Sequence, residues 1–370
     1  MSTADTPSAE HGRHERPEDP APQETTTAGT TAPGTTAPAS PGSNRRTAVL
    51  VLGVLLVQLG FVTSYVGAFH SPVPRDVTVA VVAPAGAPAG AAEQVVGRLD
   101  GLDGHPLDAR VVTDEAGARA QITGRDIYGA LLLGTDGQDT LLVAGGAGAS
   151  VAGALQAELT AVDAAQQRTL AVQDVLPVTA QDNRGLSGFY LAVGWVVGGY
   201  LLATALALTG VRPGLRAMGE RLGVLTGYAA ASGLGGALVA EQVLGALPGP
   251  FWALASLGAL VVLATAAFTT AAEALLGFVG VGLVIVLFVV LGNPSAGGAY
   301  GTALLPPFWA SIGPWLTPGA ATEGIRSLAY FDGTGVGGPL AVLAGYLAVG
   351  VALSLGIAVV RSRREPPVTP

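Results

Sequence analysis

The sequence predicts an α-helical membrane protein with six transmembrane helices, an extracytoplasmic α/β domain inserted after the first, and re-entrant helices on the outer side. Three observations predict it. Of the 370 residues, 50% are hydrophobic and 12% are charged, with a mean hydropathy of +0.52; a soluble domain carries about 25% charged residues. Uncharged apolar runs recur along the chain, each near the ~20 residues that cross a bilayer. Arginines gather at only some of the run ends, as orientation in a membrane requires.

Two absences exclude whole classes of chemistry. There is no cysteine, so disulfides, thiolate nucleophiles and cysteine metal sites are ruled out. There is no lysine either, so neither a standard phosphate-binding loop nor a Schiff-base lysine is available. The histidines are His11, His14, His70 and His105, with no pair at metal-ligand spacing. No catalytic residue, metal site or cofactor is expected. A net charge of −8 argues against nucleic acid as a partner.

Residues 1–44 are rich in Pro, Thr, Ala and Gly and hold few large apolar side chains, which predicts a disordered cytoplasmic tail. Residues 45–70 follow as the first transmembrane helix: Arg45 and Arg46 precede the uncharged run Thr47–Phe69. Val66-Gly67-Ala68 resembles a signal-peptidase site, yet the run exceeds the usual ~7–15 apolar residues of a signal, which favours an uncleaved anchor. The remaining helices are expected over 187–209, 222–244, 251–270, 275–291 and 340–360, within a five-helix region 187–361, and residues 362–370 form a cytoplasmic tail. The arginines at 45–46, 212–221 and 361–364 then all fall on one face. The positive-inside rule makes that face the cytoplasm of a bacterial plasma membrane, with both termini inside.

Residues 71–186 should therefore lie outside. Strands are expected at Asp76–Ala83, Asp108–Thr113, Ile127–Gly134, Thr140–Gly145 and in "LAVQDVLPV", and helices at Ala91–Leu99 and Asp114–Ile122. A further helix, with Ser150 as its expected N-cap, puts Val151, Leu155, Leu159 and Val162 on one face. Asp136-Gly137 reads as a hairpin turn. Alternation of strands and helices predicts an α/β domain.

The charges near the membrane come next. Arg212, Arg216, Glu220 and Arg221 lie between the second and third helices, in a positive-inside loop or in a short amphipathic helix that docks on a soluble partner, and Arg216 and Glu220 can pair four residues apart on one helical turn. Glu273 is expected in the turn joining the fourth and fifth helices, as a solvated or dipole-paired residue, or as a proton relay if buried. Glu241 either lines a path through the membrane or reaches the headgroups. Gly194/Gly198 and Gly223/Gly227 have the spacing of close helix contacts. The stretch 303–331 carries Pro306, Pro307, Phe308, Trp309, Trp315 and Arg326. Its aromatics suit an outer interface, which predicts one or two short re-entrant helices dipping into or lying on the outer leaflet, bent at "GPWLTPGA", with an ordinary extracellular loop as the alternative.

The segments "GNPS…LLPPFW…GPWLTPGAATEGIRSLAYFDG" and "VLPVTAQDNRGLSGFYLAVGWVVGGYL" resemble membrane subunits of the type-two class of ABC exporters. The likeness is nearest to the group related to the phage-infection protein of Gram-positive bacteria, and it covers about residues 45–361. It implies a permease half that works as a homodimer or heterodimer with a second half. It also implies a separate ATP-binding-cassette ATPase docked at Arg212–Arg221, outer re-entrant helices that close the mouth, and membrane lipid as surroundings. The expected role is export of an amphipathic or cell-envelope substrate, without enzymatic chemistry in this chain. The alternative is a non-transporting receptor or secretion-apparatus component acting through residues 71–186.

Overall fold

The computed structural model describes residues 41–209 and 214–364. Residues 1–40 of the expected tail, Arg212 and residues 365–370 lie outside the described residues. The chain divides into two units, Met1–Val51 and Leu52–Pro370. The first is described only where it begins the helix α1 (Pro41–Phe69), which takes in residues 41–44 of the expected tail. Apart from the opening residues of that helix, everything below concerns the second.

Among the described residues, six helices are long and apolar enough to cross a membrane: Thr47–Phe69, Ser187–Leu208, Leu215–Val243, Phe251–Leu276, Phe278–Ser295 and Gly337–Arg363. The chain is built as a multi-pass membrane protein. Several ends differ from those expected. The third span starts at Leu215 and the fourth runs to Leu276, because Arg216, Glu220 and Glu273 are tolerated in helical turns beyond the apolar core. Hydropathy marks the apolar part of a helix, not its last hydrogen bond.

Between the first two spans lies a five-stranded sheet in the order β2-β1-β3-β4-β5. The strands are β1 (Val77–Val82), β2 (Leu107–Val111), β3 (Gly129–Leu132), β4 (Gln138–Val143) and β5 (Thr169–Asp174). β1 is parallel to β2 and to β3, with α2 (Ala91–Asp100) and α3 (Glu115–Thr123) as the crossovers. β4 runs antiparallel to β3 through Asp136-Gly137, where Gly137 adopts φ 85°. The side chains Val77, Val79 and Val81 pack under α2 and under α4 (Ala149–Ala165), while Ala80 and Val82 face α3. Covered on both faces, β1 is apolar at every position but Thr78, as central parallel strands tend to be. The expected N-cap of α4 is corrected: Gly148 precedes the helix, and the Ser150 hydroxyl instead accepts from Gly301 N–H at 3.0 Å. This sheet belongs to the same compact unit as the spans.

The spans α5 (Ser187–Leu208), α6 (Leu215–Ala237) and α12 (Gly337–Arg364) surround α7 (Phe251–Leu276), the most buried of them. Small residues allow this. A Cβ on Gly199 would sit 2.7 Å from the Val262 carbonyl, and one on Gly350 would sit 2.5 Å from Phe268 N. Trp195 wedges against Gly236 and Gly258 and donates to the Ser232 carbonyl at 3.1 Å. The expected contact pairs are corrected here: Gly194, Gly223 and Gly227 face open space. A single residue, Gly277 at φ 61°, joins α7 to α8 (Phe278–Val284), which continues through π-helical turns into α9 (Asn293–Ser295).

The stretch after the fifth span folds back as α10 (Pro307–Ile312), a 3₁₀ turn at Gly313–Trp315, and α11 (Thr317–Tyr330). Pro at the first turn suits each helix start, where the missing N–H has no partner to lose. Most of α11 is buried, with Gly324 set against Leu257 of α7 and Ile325 against Gly188 of α5.

Candidate functional site

Charged side chains gather at the two ends of the helix bundle. At the end formed by the start of α5, α7 and α12, Arg125 reaches from the α3–β3 connection onto α11. Its Nη1 donates to Ser327 Oγ at 2.6 Å, its Nη2 pairs with Glu323, and its guanidinium lies 4.6 Å from the Phe331 ring centre. Arg326 holds the other carboxylate oxygen of Glu323 at 2.7 Å and donates to the Gly297 carbonyl at 2.9 Å. One carboxylate thus bridges two guanidiniums. Burial, with Arg326 close by, lowers the Arg125 pKa to about 10, so it stays charged at neutral pH. Arg125, Glu323, Arg326 and Phe331 line a cavity of about 310 Å³, together with Tyr128 and Pro314. Of the residues singled out from the sequence in this stretch, Arg326 is in the network. Pro306 and Pro307 set the start of α10. Phe308 and Trp315 project outward at 57% and 70% exposure, and Trp309 is half-buried.

At the opposite end, Arg216 is almost fully exposed and pairs with Glu220 at 3.1 Å. An exposed pair of this kind contributes little to stability. The expected docking loop is corrected from Leu215 on: Arg216, Glu220 and Arg221 lie on the opening turns of α6, continuous with the third span. Arg221 is not free for a partner, because its Nη2 donates to Glu273 at 2.9 Å and to the Ala203 carbonyl at 2.7 Å. The expected turn position of Glu273 is corrected too. It lies on the last turns of α7, with a side chain only 6% exposed. Buried charges persist when paired, and this pair ties α6 to α7. A cavity of about 370 Å³ opens beside it, bounded by Leu208, Met218, Phe278, Val281, Ile357 and Arg361.

Glu241 stands apart from both clusters. It sits in the π-helical turn Leu238–Val243 that ends the third span, half-buried, with Oε1 lacking a hydrogen-bond partner.

Sequence reasoning missed Arg125, Glu323 and Ser327. The Glu323-to-Arg326 spacing was a visible signal, but the reach of Arg125 across the fold was not. It also missed Asp163, which is 2% exposed and borders a third cavity, of about 400 Å³. That cavity lies at the carboxyl ends of β1 and β3, beside the start of α2 and the Arg168–Asp139 pair. Asp174 and Asp182 act as fold residues: Asp174 accepts from Gly145 N–H, and Asp182 accepts from Leu186 and Ser187 N–H at the start of α5.

No known protein family, no curated protein and no solved structure matches the chain. Its function rests on its own geometry.

Proposed function

We propose that the chain is the membrane-embedded permease half of an ABC-type exporter. It would move an amphipathic or cell-envelope substrate with a separate ATPase and a second permease half, and do no chemistry of its own. The membrane is the bacterial plasma membrane, with the arginine-bearing end and both termini in the cytoplasm and the sheet outside. One observation carries this reading: the bundle is asymmetric along its spans. At one end α11 is buried among α5, α7 and α12, while at the other a cavity opens between the ends of the spans. A helix packed into one end of the bundle and an apolar cavity at the other are parts that alternating access would use. Glu323, Arg125 and Arg326 bind the closing helix to the sheet-bearing segment, so movement of one is felt by the other.

The test is capture of the motor. The full chain, purified in lipid nanodiscs, is expected to retain an ATP-binding-cassette subunit in a nucleotide-dependent way. Arg216→Glu, at an exposed site, should abolish retention without lowering the unfolding temperature. Retention unchanged by Arg216→Glu, or no ATPase at all, removes the reading.

A second reading is favoured by the cavity at the ends of β1 and β3. The chain order reverses there, and open α/β sheets bind ligands at such points. A receptor or secretion-apparatus component acting through residues 71–186 would use that cavity and need no motor.

A further inference from the structure

The cavity at the arginine-bearing end combines features that a substrate path does not require. Its walls come from the ends of α5, α6, α7, α8 and α12 and are mostly apolar. Leu208 and Phe278 at its rim are 86% and 83% exposed. Large apolar groups left this open are costly in water but are solvated by acyl chains in a bilayer. Charge is concentrated on the same walls: Arg221, Arg361 and Glu273. Glu273 neutralises one guanidinium, leaving a net positive site. Arg361 is held over the cavity by donation from Nη2 to the Ala274 carbonyl at 2.6 Å. An occupant that suits these walls carries an anionic group and an apolar body.

We infer that this cavity binds an anionic phospholipid, with its phosphate at Arg361 and an acyl chain along Phe278, Val281 and Ile357. Basic pockets between spans at a cytoplasmic face are where acidic headgroups are taken up. A free phosphate would meet the charges but leave the walls uncovered. The inference rests on the membrane-spanning architecture and not on the ATPase, so capture of a motor can fail while lipid binding stands.

The test measures unfolding temperature for the full chain in detergent. Dioleoyl-phosphatidylglycerol, dioleoyl-phosphatidylcholine or inorganic phosphate is added in turn. Phosphatidylglycerol is expected to raise the transition by several degrees more than phosphatidylcholine, and phosphate should do nothing. Arg361→Gln should remove most of that difference. Ala358→Phe fills the cavity while sparing the arginines, and should remove it as well. Arg216→Gln removes an exposed charge outside the cavity and should leave it intact. Each variant is read against its own lipid-free transition, so a change in basal stability does not obscure the result. The inference is overturned if wild type shows no preference or if phosphate reproduces the effect. It is equally overturned if Ala358→Phe keeps the preference, or if Arg216→Gln loses it as fully as Arg361→Gln.

Discussion

Arg221 and Glu273 show how strongly one pair can weigh when neither member is solvated. Removing one partner leaves the other charge buried and unpaired, at a cost of about 3–5 kcal/mol. Arg221→Ala should therefore lower stability by roughly that amount, and Arg216→Ala by less than ~0.5 kcal/mol. The double variant Arg221→Met/Glu273→Leu should recover most of the loss, since an apolar pair of similar volume leaves no charge behind; chemical unfolding in detergent measures all three. Asp163 is the opposite case, a carboxylate whose Oδ2 is buried with no partner. Burial raises its pKa from the ordinary 3.8 to about 6, Asp139 pushes the same way, and Arg168 pulls back. The folded chain holds a proton there that the unfolded chain releases near 3.8. Its contribution is thus complete below that pH and is lost as the pH rises through about 6. Asp163→Asn should raise stability by about 1 kcal/mol at pH 7.5 and leave it unchanged at pH 3.5. Thermal unfolding at the two pH values checks this, and equal effects at both would exclude the cause given.

The helices owe their arrangement to where side chains are absent. Gly199 and Gly350 let α5 and α12 close on α7, so Ala at either position forces backbone apart and should cost about 1–3 kcal/mol. Gly227→Ala meets open space and should be neutral or slightly stabilising. The same unfolding assay ranks them, and equal losses at all three would show that packing on α7 is not the cause. The sequence offers many glycines at similar spacing, and nothing local distinguishes Gly198, which is set against Tyr228 of α6, from Gly194, Gly223 and Gly227, which face open space. What is legible follows local rules. The spans follow from apolar runs though not their exact ends, the strands from short apolar stretches between turn residues, the hairpin from Asp136-Gly137, and the bend before α11 from its prolines. What is not legible depends on partners distant in sequence. Arg125 reads as one surface arginine among many until the fold sets it against Glu323, and Arg221 looks like a loop cation until α7 brings Glu273 beside it.

At the scale of the whole molecule, the proposed orientation makes a direct prediction that the cysteine-free chain makes simple to test. Asp136→Cys, exposed in the β3–β4 hairpin, should react with a membrane-impermeant maleimide in intact cells. Arg216→Cys should react only after the cells are opened. Labelling of both from the same side would reverse or break the topology. Other consequences follow from the joint between the fourth and fifth spans. Gly277 is the only residue separating α7 from α8, and a Cβ on Gly280 would strike the Ala272 carbonyl, so the two helices turn back on each other at contact distance. A connection that short leaves no slack for either helix to enter the bilayer before its neighbour. The nascent chain must deliver them to the insertion machinery as one hairpin, and α7, the centre of the bundle, cannot settle into place until ribosomal synthesis has passed α8.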